Sequence, residues 1–169
     1  MTMDASKKEI VAALENIISI TNKMGVTIEA FDPGNVRVRL PKDPNLNHIG
    51  MVYAGSLFSL GDFTGGALFC SCFDLKKYYP ILKEASIAYK RPAMTDVIIE
   101  ASMMPAEVEA LRQTADQAGK ADFVREFELK GADGSTCCIF RGNFQVRKIC
   151  EASPGRINPE TGPKKSERI

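Results

Sequence analysis

One histidine, His48, serves all 169 residues, and no two cysteines are separated by a two-residue spacer. The usual zinc spacings are therefore missing, and neither a metal nor another cofactor is expected. Charge of one sign is also lacking. The chain carries 22 basic and 21 acidic residues, a net charge of +1 and a pI near 7.6. Because these charges are interspersed except over the last twenty positions, they exclude a broad nucleic-acid footprint. The five cysteines, Cys70, Cys72, Cys137, Cys138 and Cys150, are odd in number. Two pairs lie too close in sequence for an ordinary framework of bridges, so all are expected to be reduced, buried and small-hydrophobe-like. The first twenty residues hold no continuous apolar stretch, since Lys7, Lys8, Glu9 and Glu15 interrupt them. No secretory signal is expected there, and the cytoplasm is the expected compartment.

What the chain does have is one long uncharged run. From Ile49 to Phe73 a single residue, Asp62, carries charge. The run is long enough to span a bilayer, but it contains five glycines, three serines, a threonine and that central acid. The acid alone would cost about 2.5–3.5 kcal/mol on insertion. A buried helix of a water-exposed domain is the better expectation, with no membrane span. An acid held among apolar residues has its charged form disfavoured, so it is either silenced by hydrogen bonds or poised as a base.

At 18.5 kDa the chain fits one domain with a full core. Residues 1–24 read as an amphipathic helix with Ile10, Ala13, Leu14, Ile17, Ile18 and Met24 at three- and four-residue steps, after a cap at Asp4 or Ser6. Val26–Phe31 and Asn35–Leu40 alternate with period two across Asp32-Pro33-Gly34, a hairpin or bulged strand couple. Ala54 to Phe73 is the apolar helix, whose small residues at 55, 59, 61, 65, 66 and 67 would let a sheet approach it closely. Four strands follow: Ile81–Tyr89, Val97–Met103, Asp122–Leu129 and Thr136–Val146, the last two joined by the turn Gly131–Gly134. Pro105–Ala118 is a short helix or an acidic excursion. Residues 149–169, rich in Pro, Gly, Lys and Glu, are expected to form a flexible tail after a main domain spanning 25–148. The fold class is α+β, an antiparallel sheet curled around one long helix.

Asn47-His-Ile-Gly50-Met-Val-Tyr53-Ala54-Gly55-Ser-Leu-Phe58-Ser-Leu-Gly-Asp62 resembles the hotdog-fold thioesterase pattern Asn-x-x-Gly-x-x-His-Gly-Gly-x-x-Phe-x-x-x-Asp. Tyr89-Lys90-Arg91-Pro92-Ala93 resembles the strand end before the second long hairpin of the phenylacetic-acid-degradation thioesterases, and Phe140-Arg141-Gly142 their closing strand. The resemblance covers residues 25–148. It implies a homodimer with two sheets paired edge to edge, often doubled to a homotetramer, and acyl-CoA sites at the subunit boundary. Two positions depart from the pattern: Tyr53 stands for the histidine and Ala54 for the first glycine, as in less characterised hotdog proteins.

Thioester hydrolysis needs a base or nucleophile near the carbonyl carbon and donors aimed at the oxygen that becomes negative. By the resemblance Asp62 activates water or attacks directly, and Asn47 helps to hold the thioester oxygen or the water. The main-chain N–H groups of Ala54 and Gly55, at a helix start, would stabilise the oxyanion. Against these stand a structural role for Asp62 and a turn role for Asn47 in a polar loop. Tyr53 could touch substrate or simply pack. Ser59 and Thr64 could position water or bond back to the helix. His48 is more naturally a loop residue. Lys90 and Arg91 suit the phosphates of CoA, or are a solvated strand end. Lys83 shares by alternation the face of Ile81, Ala85, Ile87 and Tyr89, and reaches the site or snorkels. The resulting expectation is an acyl-CoA thioesterase. Its rivals are a hydratase, which lacks a histidine near Asp62, and a non-catalytic protein that binds acyl-CoA or acyl groups.

Overall fold

The computed structural model describes residues 5–150 of the chain. It opens with helices α1 (Ala5–Ile17) and α2 (Ser19–Lys23), then strands β1 (Thr27–Asp32) and β2 (Asn35–Leu40). Helix α3 (Ala54–Cys72), strands β3 (Tyr78–Tyr89) and β4 (Val97–Ser102), helix α4 (Pro105–Ala118), and strands β5 (Lys120–Gly131) and β6 (Thr136–Lys148) follow. The six strands make one antiparallel sheet in the order β1-β2-β4-β5-β6-β3, with α3 packed on its inner face. This is the α+β architecture expected. Among the described residues no helix is long and apolar enough to cross a membrane.

What seats α3 is a match between glycines and rings. Strand register sets Phe127 opposite Phe140 and Phe123 opposite Phe144, so four aromatics share the inner face. They stack in pairs, with centroids 6.2 and 5.5 Å apart. A Cβ built at Gly61 would meet three atoms of the Phe140 ring, the farthest at 2.9 Å, and one at Gly65 would meet three of Phe144, the farthest also at 2.9 Å. The small residues of α3 thus admit rings rather than the sheet backbone. Leu57, Leu60, Phe63, Leu68 and Phe69 fill the rest of the contact and are buried.

The β1–β2 hairpin turns at Gly34, with φ of +76° and the Met103 carbonyl oxygen 2.5 Å from where a Cβ would stand. Conformation and space both require glycine there. Gly119, left-handed at φ 76°, ends α4. The segment over 105–118 is therefore a helix of 14 residues.

Several expectations need correction. The N-terminal helix breaks at Ile18, whose backbone is extended, and its buried side is Val11 and Leu14, with Met24 beyond the break. Ile10, Ala13 and Ile17 are exposed instead, because the buried stripe of α1 runs through Val11 and Leu14 and leaves them off it, and Ile18 is exposed at the break itself. The cap positions lie outside the described residues: Asp4 entirely, Ser6 in its side chain. So does all of the expected tail except Ile149 and Cys150. Lys83 does not share the inner face. A bulge between Leu82 and Glu84 resets the alternation, so Ala85 and Ile87 face inward. Lys83 pairs at 2.7 Å with Asp122, on the outer side of the sheet. Of the cysteines, Cys137 and Cys138 are buried, Cys70 and Cys72 half-buried, and Cys150 exposed.

Candidate active site

The start of α3 is held from three sides. The Val52 N–H donates to the Ala93 carbonyl at 2.9 Å, and the Tyr53 N–H to the Asn45 carbonyl at 2.7 Å. The Tyr89 hydroxyl donates to the Ala54 carbonyl at 3.0 Å. The Tyr53 carbonyl accepts from Ser56 and Leu57, at 3.0 and 3.1 Å. The N–H groups of Ala54 and Gly55 find no acceptor among the described residues. No side chain caps this end, and its first turn holds no acid. Two unsatisfied donors at the positive end of a helix dipole favour a partial negative charge beside them. The ring of Tyr53 lies over Gly55, with Cζ 3.0 Å from where a Cβ would be, so the position admits only glycine while that ring stays.

Asp62 lies on the one side of α3 that the sheet leaves uncovered. It shares a half-buried stripe with Gly55, Phe58, Ser59, Gly66 and Cys70. Its carboxylate has no hydrogen bond or ion pair among the described residues, and burial pushes it above the usual carboxyl range. Phe58, next to it, meets Phe140 edge-on at 5.4 Å. Gly66 faces open space, with nothing within 4 Å of a built Cβ. Gly65, by contrast, offers no room, because Phe144 occupies it, and Phe69 is buried in the core. Cys70 is not a nucleophile, since burial pushes its thiol up to about 12.

Asp62 and Ala54 are eight residues apart on one helix, about 12 Å of rise. Reacting atoms must approach to about 3–3.5 Å. One carbonyl group cannot meet both the acid and the donors of the same chain.

The remaining expected residues sit as follows. The Asn47 side-chain oxygen accepts from Ile49 and Met51 at 3.0 and 3.1 Å, which is the turn role, and only its amide nitrogen remains for a ligand. Ser59 and Thr64 bond back to the carbonyls of Gly55 and Leu60, at 2.9 and 2.7 Å. His48 is an exposed loop residue. Lys90 and Arg91 are tied by their N–H groups to the Cys137 carbonyl, at 2.8 and 3.0 Å, while their side chains make no hydrogen bond or ion pair among the described residues. Sequence reasoning missed the clamp from Tyr89 to the helix start, which joins residues 35 apart in sequence and leaves no local signal. It also missed the hollow beside Arg91, lined by Gly131, Asp133 and Ser135 of a segment that reads only as a hairpin turn.

A curled antiparallel sheet around a glycine-notched helix, with free donors at one end and a half-buried acid two turns along, defines a hotdog protein of the thioesterase type. The chain belongs to the family described as putative thioesterase (yiiD_Cterm), whose family model matches residues 7–148. It is similar to a Pseudomonas aeruginosa protein of unknown function called a probable thioesterase, at 34% identity over 88% of this chain and 99% of that one, with a TM-score of 0.80. A thioesterase of Haemophilus influenzae shares the fold at 16% identity, covering 90% of this chain and 96% of its own, with a TM-score of 0.69. So does a mutant thioesterase of Pseudomonas aeruginosa, at 22% identity, 88% and 97% coverage and a TM-score of 0.67. No curated protein matches the chain in sequence.

Proposed function

We propose that two copies of this chain together hydrolyse acyl-CoA thioesters, with Asp62 of one copy and the Ala54 and Gly55 N–H groups of the other acting on the same carbonyl. The observation that carries this reading is Asp62: a carboxylate raised by burial, without a partner among the described residues, on the one uncovered side of α3. The rise of the helix separates it from its own donors, which a second copy resolves. Two features support a second copy. The 12-residue β3 pairs on one side only, with β6, and leaves Ile81 and Tyr89 39% and 51% exposed. Beside it runs the uncovered stripe of α3. A long edge strand with exposed apolar residues invites pairing.

In this reading Asp62 takes a proton from a water molecule as the water oxygen attacks the thioester carbon. The carbonyl oxygen gains the charge and lies against the two N–H groups, assisted by the amide nitrogen of Asn47. Collapse breaks the C–S bond, and the leaving thiolate takes the proton from Asp62, giving free CoA and the acid. Tyr53 borders the thioester, and Lys90 and Arg91 face the phosphates of CoA.

The position of the Tyr53 ring over Gly55 narrows the approach to the donors, and this observation favours a second reading, binding of acyl-CoA without turnover. Release of free CoA from short, medium, long and aromatic acyl-CoAs separates the two. Turnover by the wild type, with a loss of about 10²–10⁴-fold in Asp62→Asn of unchanged oligomeric state, supports hydrolysis. Tight binding without release from any substrate supports the second reading.

A further inference from the structure

Helix α3 opens on a glycine that its own conformation does not require. Gly55 lies in the first turn without a positive φ, where alanine is the better helix former. What its missing side chain leaves room for is a ring. Cδ1, Cε1 and Cζ of Tyr53 all lie within 3.2 Å of where a Gly55 Cβ would stand. Gly61 and Gly65 seat Phe140 and Phe144 in the same way, but those rings are 0% and 1% exposed and held by neighbours, whereas Tyr53 is 57% exposed. The same notch thus holds a ring that is free to leave.

The backbone of Tyr53 is fixed, and its side chain is not. The N–H donates to the Asn45 carbonyl and the carbonyl accepts from Ser56 and Leu57, while the hydroxyl makes no hydrogen bond among the described residues. Rotation about the Cα–Cβ bond is the motion left, and for an exposed side chain it takes picoseconds to nanoseconds. Tyr89, the other phenol at this helix end, is held by the Ala54 carbonyl instead. No side chain caps the helix and its first turn holds no acid. With the ring seated, the two free donors are therefore screened by an apolar surface rather than satisfied by a polar one.

We infer that Tyr53 is a gate: its ring, seated on Gly55, closes the approach to the Ala54 and Gly55 N–H groups in the empty protein and turns out about its Cα–Cβ bond to admit the thioester. The gate rests on the acyl-CoA reading for the ligand it admits. Because the rotation is fast against any ordinary turnover, it limits no rate; it lowers the apparent affinity by the fraction of time the ring is out. A narrow approach in the empty protein is then compatible with hydrolysis in the loaded one.

The test is proton NMR of the full chain with its 13 glycines labelled by carbon-13 at the α-carbon, the Gly55 signal being assigned by its loss in Gly55→Ala. The current of a neighbouring aromatic ring displaces these α-protons, so the empty wild type should show a displaced Gly55 signal that returns to the ordinary position in Tyr53→Ala. An ordinary position in the empty wild type overturns the seat. Saturation with a 2-oxoalkyl-CoA, a thioether that keeps the carbonyl and cannot be hydrolysed, should return the wild-type signal. Displacement that persists in the bound complex overturns the gate while the acyl-CoA reading stands. Calorimetry with the same compound gives the second readout. Gly55→Ala, which expels the ring but keeps the N–H, and Tyr53→Ala, which removes the ring, should each bind at least about threefold tighter than wild type. No gain in either overturns the gate, and binding to none of the three proteins overturns the acyl-CoA reading and the gate together.

Discussion

Replacing Gly65 by alanine adds one methyl group in a place where the structure has none to spare. Ordinary carbon–carbon contact is about 3.5–4.0 Å. The new Cβ would meet three Phe144 ring atoms, the farthest at 2.9 Å. The ring cannot retreat, because on its other side it rests on Gly142, where a built Cβ would stand 2.5 Å from Phe144 Cε2. Phe144 is also 1% exposed and flanked by Phe123 and Phe127. Overpacking of a closed core costs about 1–3 kcal/mol, and a ring pinned on both sides belongs at the upper end. Alanine returns about 0.8–1.0 kcal/mol of helix propensity. The expected net loss is about 2 kcal/mol. For a chain of this length each kcal/mol moves the melting temperature by about 2–4 °C, so Gly65→Ala should melt about 4–8 °C lower. Gly66→Ala, one residue on, meets open space within its own chain, where propensity alone would raise the melting temperature by about 2–4 °C; a second copy seated on that face would reverse the sign. Thermal unfolding followed by circular dichroism reads both. Gly65→Ala melting at or above wild type would refute the seating of Phe144 in the helix. Gly66→Ala melting below it would show that its face is covered in solution, which the proposed second copy would do.

Two further outcomes follow from the site. The raised carboxyl of Asp62 means that, above the ordinary value of about 3.9 and up to its raised value, the folded chain keeps a proton the unfolded chain has lost, so stability falls as pH rises through that window. Asp62→Asn should therefore melt above wild type near pH 8 and lose that advantage near pH 3, and an advantage equal at both values would refute burial as the cause. Asn47→Ala removes the acceptor for two N–H groups and should lower the melting temperature, whereas Asn47→Asp keeps that acceptor and should not. If the amide nitrogen serves the oxyanion, the aspartate variant alone separates the roles by losing about 10²–10³-fold in kcat at unchanged stability; unchanged kcat there removes Asn47 from the chemistry.

Much of the fold was legible because its signals are local. Alternation across Asp32-Pro33-Gly34 and across Gly131–Gly134 gave the hairpins, and the glycine-rich run gave α3. What alternation could not supply was the bulge at Lys83, since one inserted residue resets the period and nothing in Leu-Lys-Glu marks it. The break at Ile18 likewise escaped, because a β-branched residue in a helical pattern is only weakly unfavourable. At the site, Asp62 and the free donors of residues 54 and 55 could be read from the motif and the helix start. The Tyr89 clamp and the hollow beside Arg91 could not, because they depend on which strand ends meet across more than thirty residues.

That clamp has a consequence for the order in which the molecule comes apart. A helix's first turn ordinarily frays on its own, since it is held by few bonds. Here the Ala54 carbonyl is bound by the last residue of β3, and the Val52 N–H by the arm that follows it. Strand β3 is in turn held along its length by β6. Local opening at the start of α3 therefore requires loss of a long-range strand pairing, and the Val52 amide should exchange with solvent at the rate of that sheet edge rather than at the rate of a helix end. During folding the same dependence runs in reverse, so the free donors take their final positions only after the edge strand has closed.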